Sequence, residues 1–244
     1  MNKLYVVGLG PGGVQFMTQQ ARSAMEDSEI LCGYKVYTDL VTHLYPDKEV
    51  MTTGMTKEID RCRMALEKAA AGTTVSMVCS GDSGVYGMAC LIYQLSKEFA
   101  PVDIEVVPGV TAALSGGSVL GAPLSHDFCV VSLSDLLTPW NLIEKRLSCA
   151  AQADFCMAIY NPCSHKRADY LEKACTILMG HKSPETVCGW VRNIGREGQE
   201  SKIMTLKELK NEQLDMFCTV FIGNEKTEIL NGKMVTPRGY EQKL

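Results

Sequence analysis

The chain has 244 residues, 46% of them hydrophobic, and a formal net charge of -4, enough to bury a large core in two ordinary domains or one large one. The mild negative charge argues against a general nucleic-acid or membrane-surface protein, though it leaves room for a local basic patch facing an acidic ligand. No apolar run approaches the roughly 20 residues that span a bilayer, so the chain reads as soluble.

Residues 4–7 read as a short strand running into Gly8-Leu9-Gly10-Pro11-Gly12-Gly13, and a helix follows from about Thr18 with Ala21, Ala24 and Met25 on one face. The start, Met1-Asn2-Lys3, enters that strand without a signal-peptide pattern. A strand over 28–32, a helix over 36–44, a strand near 49–52 and a helix over 57–71 continue the alternation. Next, an apolar run, Val75-Ser76-Met77-Val78-Cys79, breaks into Ser80-Gly81-Asp82-Ser83-Gly84-Val85-Tyr86-Gly87-Met88-Ala89. This predicts a buried strand, a tight glycine loop and the start of a helix reaching Phe99. The loop glycines let a ligand approach main-chain groups without meeting a Cβ, and Asp82 reads equally as an acceptor for that ligand or as a helix N-cap. A strand over 104–107 closes on Pro108-Gly109. Alternation of this kind predicts a parallel sheet covered on both faces, with ligands outside the carboxyl ends of its strands.

Composition changes at Ser115-Gly116-Gly117-Ser118-Val119-Leu120-Gly121-Ala122-Pro123, small and flexible enough to join two halves. The expected domains are therefore residues 1–117 and 118–244. Beyond the joint come a strand over 128–133 and a helix from Pro139, with Thr138 as cap and proline at the first helical position. A strand over 155–160, a helix over 166–179 and strands over 187–191 and near Ile203 follow. A short helix opens on the capping box Thr205-Leu206-Lys207-Glu208, and a last strand over 218–223 precedes a hairpin-like tail. Strands crowd together here, which predicts a mixed sheet. The 11 cysteines are scattered singly without a Cys-x-x-Cys pair, and His43, His126, His165 and His181 form no paired motif. They read as reduced thiols of a cytoplasmic protein, mostly small core hydrophobes, without zinc or iron–sulfur spacing.

Two short motifs invite readings that their surroundings resist. Gly8, Gly10 and Gly13 satisfy G-x-G-x-x-G, the pattern of a dinucleotide site. In such a site the helix begins within the motif and an acid closes the second strand. Here Pro11 interrupts the loop, the helix starts late, and the second strand ends in Cys32-Gly33-Tyr34-Lys35. Gly81-Asp82-Ser83-Gly84 invites a serine-protease reading, but Val85 stands where a further glycine is wanted.

With Gly8-Leu9-Gly10-Pro11-Gly12, Ser80-Gly81-Asp82-Ser83-Gly84-Val85-Tyr86-Gly87 and Pro108-Gly109-Val110-Thr111-Ala112-Ala113 in that order, the whole chain resembles a tetrapyrrole methylase. These are S-adenosylmethionine enzymes that methylate corrin and siroheme precursors. Further motifs are similar to one branch, the precorrin-3B or cobalt-precorrin-3 C17-methyltransferases of cobalamin biosynthesis. They are Gly121-Ala122-Pro123-Leu124-Ser125-His126-Asp127-Phe128-Cys129, Ser132-Leu133-Ser134-Asp135-Leu136-Leu137-Thr138-Pro139-Trp140, Tyr160-Asn161-Pro162 and Thr236-Pro237-Arg238-Gly239-Tyr240. Ser83 departs from the proline more usual after the Gly-Asp pair and is expected to loosen the loop slightly.

The resemblance implies an α/β tetrapyrrole methylase fold. In it an N-terminal parallel-sheet domain and a C-terminal mixed-sheet domain enclose S-adenosylmethionine in a cleft, usually within a homodimer. It implies that Pro11 lines the cofactor pocket, and that Ser80, Gly81, Asp82 and Val85 hold the methionine and ribose parts. Thr111 and Ala112 would sit beside them, while Tyr160, Asn161, Arg192, Asn193 and Ile194 would wrap the adenine side. The branch includes longer fusions with redox modules, which this sequence lacks.

The implied reaction methylates ring carbon C17 of a corrin precursor and contracts the macrocycle, giving precorrin-4 or its cobalt form. Methyl transfer from a sulfonium releases a neutral group and asks mainly for orientation and water exclusion. Contraction is proton chemistry and asks for a positioned acid or base. His126 is the first candidate and Asp135 the second, with a hydrogen-bonded wall residue and a turn former as the bland alternatives. The substrate's carboxylates suit Lys35, Lys57, Arg61, Arg192 or Arg238, each of which also reads as a surface charge. Free thiols and the lack of an oxygen-using module favour a cobalt-containing substrate. A sister methylase with another target carbon, a nucleotide-binding oxidoreductase built on Gly8 to Gly13, and a non-catalytic carrier of the pigment remain open.

Overall fold

Short strands gain stability only by pairing and by burying a face against helices, and the first half of the chain supplies five of them. The structure, a computed structural model, describes residues 2–164, 167–240 and 243. His165 and the expected helix start at Lys166 lie outside the described residues. The chain divides into two compact units, Met1–Ala112 and Ala113–Leu244.

The first unit runs β1 (Lys3–Gly8), α1 (Gln19–Asp27), β2 (Ile30–Tyr34), α2 (Lys35–Thr38), β3 (Glu49–Thr53), α3 (Glu58–Ala70), β4 (Val75–Cys79), α4 (Ala89–Leu95) and β5 (Asp103–Val107). Its strands pair in parallel, in the order β3-β2-β4-β1-β5, and β4, every residue of which is buried, lies in the middle. Alternate residues sort to opposite faces. Leu4, Val6, Ile30, Cys32, Val75 and Met77 pack with Leu66 and Ile92, while Val7, Leu31, Val78 and Val107 pack with Ala21, Ala24 and Met25. The expected face of α1 is thus the buried one, and Thr18 caps the helix by accepting the Ala21 N–H at 3.0 Å. The helix expected over 36–44 is shorter. It stops after α2 and resumes as a single 3-10 turn at Thr42–Leu44, because β-branched Val36, Thr38, Val41 and Thr42 propagate a helix poorly.

The second part comprises α5 (Ala112–Leu120), β6 (Gly121–Ala122), β7 (Phe128–Ser132), α6 (Trp140–Gln152), β8 (Cys156–Tyr160), α7 (Tyr170–Met179) and β9 (Val187–Arg192). It continues with β10 (Glu200–Thr205), α8 (Leu206–Leu209), β11 (Cys218–Ile222), β12 (Glu228–Leu230) and β13 (Lys233–Val235). The sheet β10-β9-β11-β8-β7 is mixed, as expected: β7 and β8 are parallel, and β11 runs antiparallel to both neighbours. One face buries Ile143, Leu147, Leu171, Leu178, Leu206 and Leu209 from α6, α7 and α8. The tail hairpin is anchored by β13 pairing in parallel with β6. Next to it the buried Thr236 hydroxyl donates to the Pro123 carbonyl at 2.7 Å. The capping box at Thr205 and Glu208 forms. In α6, by contrast, Pro139 is itself the extended N-cap residue and no side chain caps the helix.

The stretch around Gly117 is helical, within α5. Glycine is present for packing: a Cβ on Gly116 would fall 2.8 Å from Phe221 Cζ and 2.9 Å from Ile194 Cδ1. Close packing of α5 onto β11 outweighs the weak helix propensity of glycine. Gly116→Ala is expected to cost about 1–3 kcal/mol by overpacking, and Phe221→Leu to recover part of that in the double variant. Urea denaturation of the two single variants and the double variant checks the coupling.

Candidate functional site

At the carboxyl edge of the first sheet, pairing continues past the strand ends. The Leu9 N–H donates to the Cys79 carbonyl at 2.8 Å, and Gly10 and Gly81 exchange bonds of 3.0 and 2.7 Å. Gly10 and Gly81 adopt φ of +74° and +68°, a region glycine enters without strain. The loop after β5 packs into the same place. A Cβ on Gly109 would fall 2.2 Å from the Gly81 carbonyl oxygen, and one on Gly8 would fall 2.7 Å from the Gly109 nitrogen. Gly8 and Gly109 therefore serve loop-on-loop packing. At Gly81 the nearest atoms to a Cβ are Ala112 N and Thr111 Cα, both 3.7 Å away, an ordinary contact distance, so glycine there answers to the left-handed φ and not to crowding. Pro11, Ser80, Val85 and Thr111 belong to these three loops, which the structure gathers at one edge, and Ala112 opens α5 directly after the last of them.

Asp82 does not cap a helix, and both of its carboxylate oxygens accept backbone N–H groups of the protein. Its Oδ1 accepts the Gly84 N–H at 2.8 Å and its Oδ2 accepts the Gly109 N–H at 3.0 Å, while α4 begins only after Met88. The carboxylate ties the loop after β4 to the loop after β5. Ser83 is fully buried, and its hydroxyl donates to the Val107 carbonyl at 3.3 Å. The expectation that serine loosens this loop is corrected, since its hydroxyl supplies one more tie. The dinucleotide reading fails on geometry as well. Helix α1 begins well past Gly13, and β2 ends at Tyr34 without an acid.

At the β2 and β3 ends of the same edge, Arg61 is only 4% exposed. Its guanidinium donates to Thr53 Oγ1 at 2.7 Å and to the Gly54 carbonyl at 3.4 Å, lies 5.9 Å from the Tyr34 ring, and reaches Glu58 only at 3.9 Å. Around it, burial pushes the thiols of Cys32 and Cys62 up to about 12 and that of Cys79 to about 11, against the opposing pull of the guanidinium. These thiols stay neutral and act as core. Lys35 and Lys57 form exposed pairs with Asp39 and Asp60, and Arg238 is exposed.

In the second unit, the carboxyl ends of β7, β8 and β9 carry a polar group built from side chains. Asp135 accepts the Tyr170 hydroxyl at 2.6 Å and pairs with Arg167 Nε at 3.1 Å. Arg167 also donates to Ser134 Oγ at 3.1 Å, and Asn161 Nδ2 donates to Ser132 Oγ at 3.0 Å. The bond to Asp135 raises the Tyr170 phenol above its ordinary pKa, so it stays a donor at neutral pH. Asn161 and Asn193, which follow β8 and β9, both have left-handed backbone, with φ of +52° and +49°. Tyr160 Oη accepts the Ala113 N–H at 2.8 Å. Arg192 pairs with Asp215 at 2.7 Å, and its buried Nε has no partner among the described residues. Ile194 is buried against Gly116.

His126 stands apart from this group. It precedes β7 while Asp135 follows it, so the length of the strand, roughly 16 Å, separates the two. The His126 side chain is 46% exposed, and its Nδ1 accepts the N–H of Asp127. Arg167 and Tyr170 were not visible as site residues in the sequence. Only their position at the start of α7 brings them to Asp135, and no local motif announces it. Among the described residues, no group of three His, Cys, Asp or Glu side chains is placed to hold a metal, and no helix is long and apolar enough to cross a membrane.

Comparison with known proteins agrees with the geometry. A family model described as tetrapyrrole (corrin/porphyrin) methylases matches residues 3–210. The chain is 47% identical over 238 residues to the probable cobalt-factor III C(17)-methyltransferase of Salmonella typhimurium, covering 97% of this chain and 99% of that protein. It is 44% identical over 246 residues to the cobalt-factor III methyltransferase of Priestia megaterium, covering 99% of this chain but only 46% of that longer protein. The crystal structure of the methyltransferase CobJ superposes with a TM-score of 0.89 at 34% identity, over 96% of this chain and 99% of that one.

Asp82→Asn, which leaves one carbonyl oxygen for two donors, is expected to speed exchange of the Gly84 or Gly109 amide about tenfold, the loss of one charge-assisted bond. Hydrogen-exchange NMR on the unliganded protein reads this directly.

Proposed function

Because the chain belongs to the tetrapyrrole (corrin/porphyrin) methylases, we propose that it transfers a methyl group from S-adenosylmethionine to C17 of a cobalt-bearing corrin precursor and contracts the ring, in cobalamin biosynthesis. The observation that carries this reading is 47% identity along nearly the full length of both chains to a protein named for C17 methylation of cobalt-factor III.

The first unit's loops fit the methyl donor. The left-handed backbone of Gly81, which carries no Cβ, allows close approach to main-chain groups. We assign Pro11, Ser80, Gly81, Val85, Thr111 and Ala112 to it, with Asp82 holding the loops in place. Bound there, S-adenosylmethionine supplies an electrophilic methyl carbon on a neutral leaving group. The protein's share is to orient and to keep out water, a task suited to loops locked backbone to backbone.

In the second unit, Tyr160, Asn161, Arg192 and Asn193 group at one sheet edge, and the unpartnered Arg192 Nε supports a ligand-contacting role for them. The packing of Ile194 against Gly116 fits a wall of that edge better than a polar contact. For the proton chemistry of contraction we favour Asp135, which lies in this group, over His126 at the far end of β7. A homodimer and a cytoplasmic location belong to the same reading, supported by the family resemblance and the singly scattered thiols.

Mass spectrometry of the pigment after incubation with S-adenosylmethionine and, separately, cobalt-factor III or precorrin-3B should show a one-methyl gain with the cobalt pigment. No gain with either, despite bound donor, overturns the reading. Asp82→Ala should weaken S-adenosylhomocysteine about tenfold by calorimetry with circular dichroism unchanged. Equal affinity would remove Asp82 from the site.

A further inference from the structure

Among the described residues, the non-glycine positions with left-handed backbone are Thr56, Tyr86, Asp154, Asn161, Asn193 and Asn231. Asn and Asp tolerate that region because their short polar side chains bond locally. Thr56 and Tyr86 have no such excuse, since a branched or aromatic side chain is crowded there. Both lie on the carboxyl edge of the first sheet, Thr56 in the turn after β3 and Tyr86, at φ +54°, in the loop after β4.

Strain of this kind persists only where the surroundings dictate it. Around Tyr86 they do. The Ala89 N–H donates to the Ser83 carbonyl at 3.1 Å, and a Cβ on Gly87 would fall 2.3 Å from that same oxygen. Ser83 is buried and bonded to Val107, and Asp82 fixes the Gly84 N–H. Residues 82–89 thus form a closed turn that forces residue 86 into the left-handed region. Glycine would occupy that position without strain, yet the position holds a tyrosine.

The conformation does not serve to bury the residue, which is 56% exposed. It leaves an aromatic side chain on the same loop as Ser80, Gly81 and Val85, which are assigned to the methyl donor. The acceptor is a flat conjugated macrocycle, the kind of surface on which an aromatic face stacks. We propose that Tyr86 is a specificity-determining residue whose ring lies against the tetrapyrrole, which rests on the methyltransferase reading given above.

The test is Tyr86→Gly, with Tyr86→Phe as the conservative control, read by three measurements: thermal melting, calorimetry with S-adenosylhomocysteine, and absorbance titration with cobalt-factor III. Tyr86→Gly should melt no lower than the wild type and keep donor-product affinity within about twofold, while its affinity for the pigment falls about tenfold or more, the scale of a lost aromatic contact. Tyr86→Phe should bind both like the wild type. Unchanged pigment affinity in Tyr86→Gly overturns the proposal while leaving the methyltransferase reading standing. A lower melting temperature with equal losses of both affinities marks the ring as a structural prop and also overturns it. A wild-type protein that binds no pigment overturns this proposal and the reading beneath it together.

Discussion

Three backbone segments meet where β1, β4 and β5 end, and they fit only because no side chain stands between them. Sheet order makes the meeting possible. β1 lies between β4 and β5, so loops far apart in sequence emerge within about 10 Å of one another. Gly8, Gly81 and Gly109 then let main chain approach main chain, and Asp82 spans the junction with one oxygen for each loop. The burial of Ser83 and the turn through Tyr86 follow from this packing. Change the strand order and the glycines would have nothing to pack against.

The second unit reaches a comparable polar edge by other means. There the backbone turns at Asn161 and Asn193, residues that accept left-handed angles at low cost, and the cross-links are side chains. The Asp135 carboxylate is shared between a guanidinium and a phenol, and charge-assisted bonds of that type are about twice as strong as neutral ones. A backbone junction is rigid but tolerates little substitution. A side-chain network fixes its groups while leaving their chemistry exchangeable.

Much of the first unit was legible because its signals are local. Apolar runs broken by glycine marked the strands, Thr18 and the spacing of Ala21, Ala24 and Met25 marked α1, and the Gly-Asp loop after β4 drew attention for chemical reasons. What was missed depends on distant partners. Gly116 and Gly117 read as a joint because glycine is a poor helix former, and only Phe221 and Ile194 explain why a helix runs there. Arg61 sits in a charged stretch of α3 and reads as surface, whereas Thr53 and the Tyr34 ring cover it. The distance between His126 and Asp135 is set by the whole of β7, and the partners of Asp135 are Tyr170, the first residue of α7, and Arg167 just before it. Ser83 was judged against proline for what it removes, when its hydroxyl decides the matter by bonding to Val107.

Rigidity and strain in the first unit are two sides of one arrangement. A loop free to relax would let residue 86 return to an ordinary backbone region, and the aromatic ring would turn with it. Closing the loop at Ser83, Gly87 and Ala89 and pinning it through Asp82 removes that freedom. The same ties that lock the loops after β4 and β5 together therefore hold an otherwise unfavourable tyrosine in place. Because the turn over 82–89 follows Gly81 directly, its closure also fixes where residue 86 stands relative to that glycine. In a reaction where the protein contributes mainly orientation, that fixed geometry is what the glycines, the aspartate and the buried serine jointly maintain.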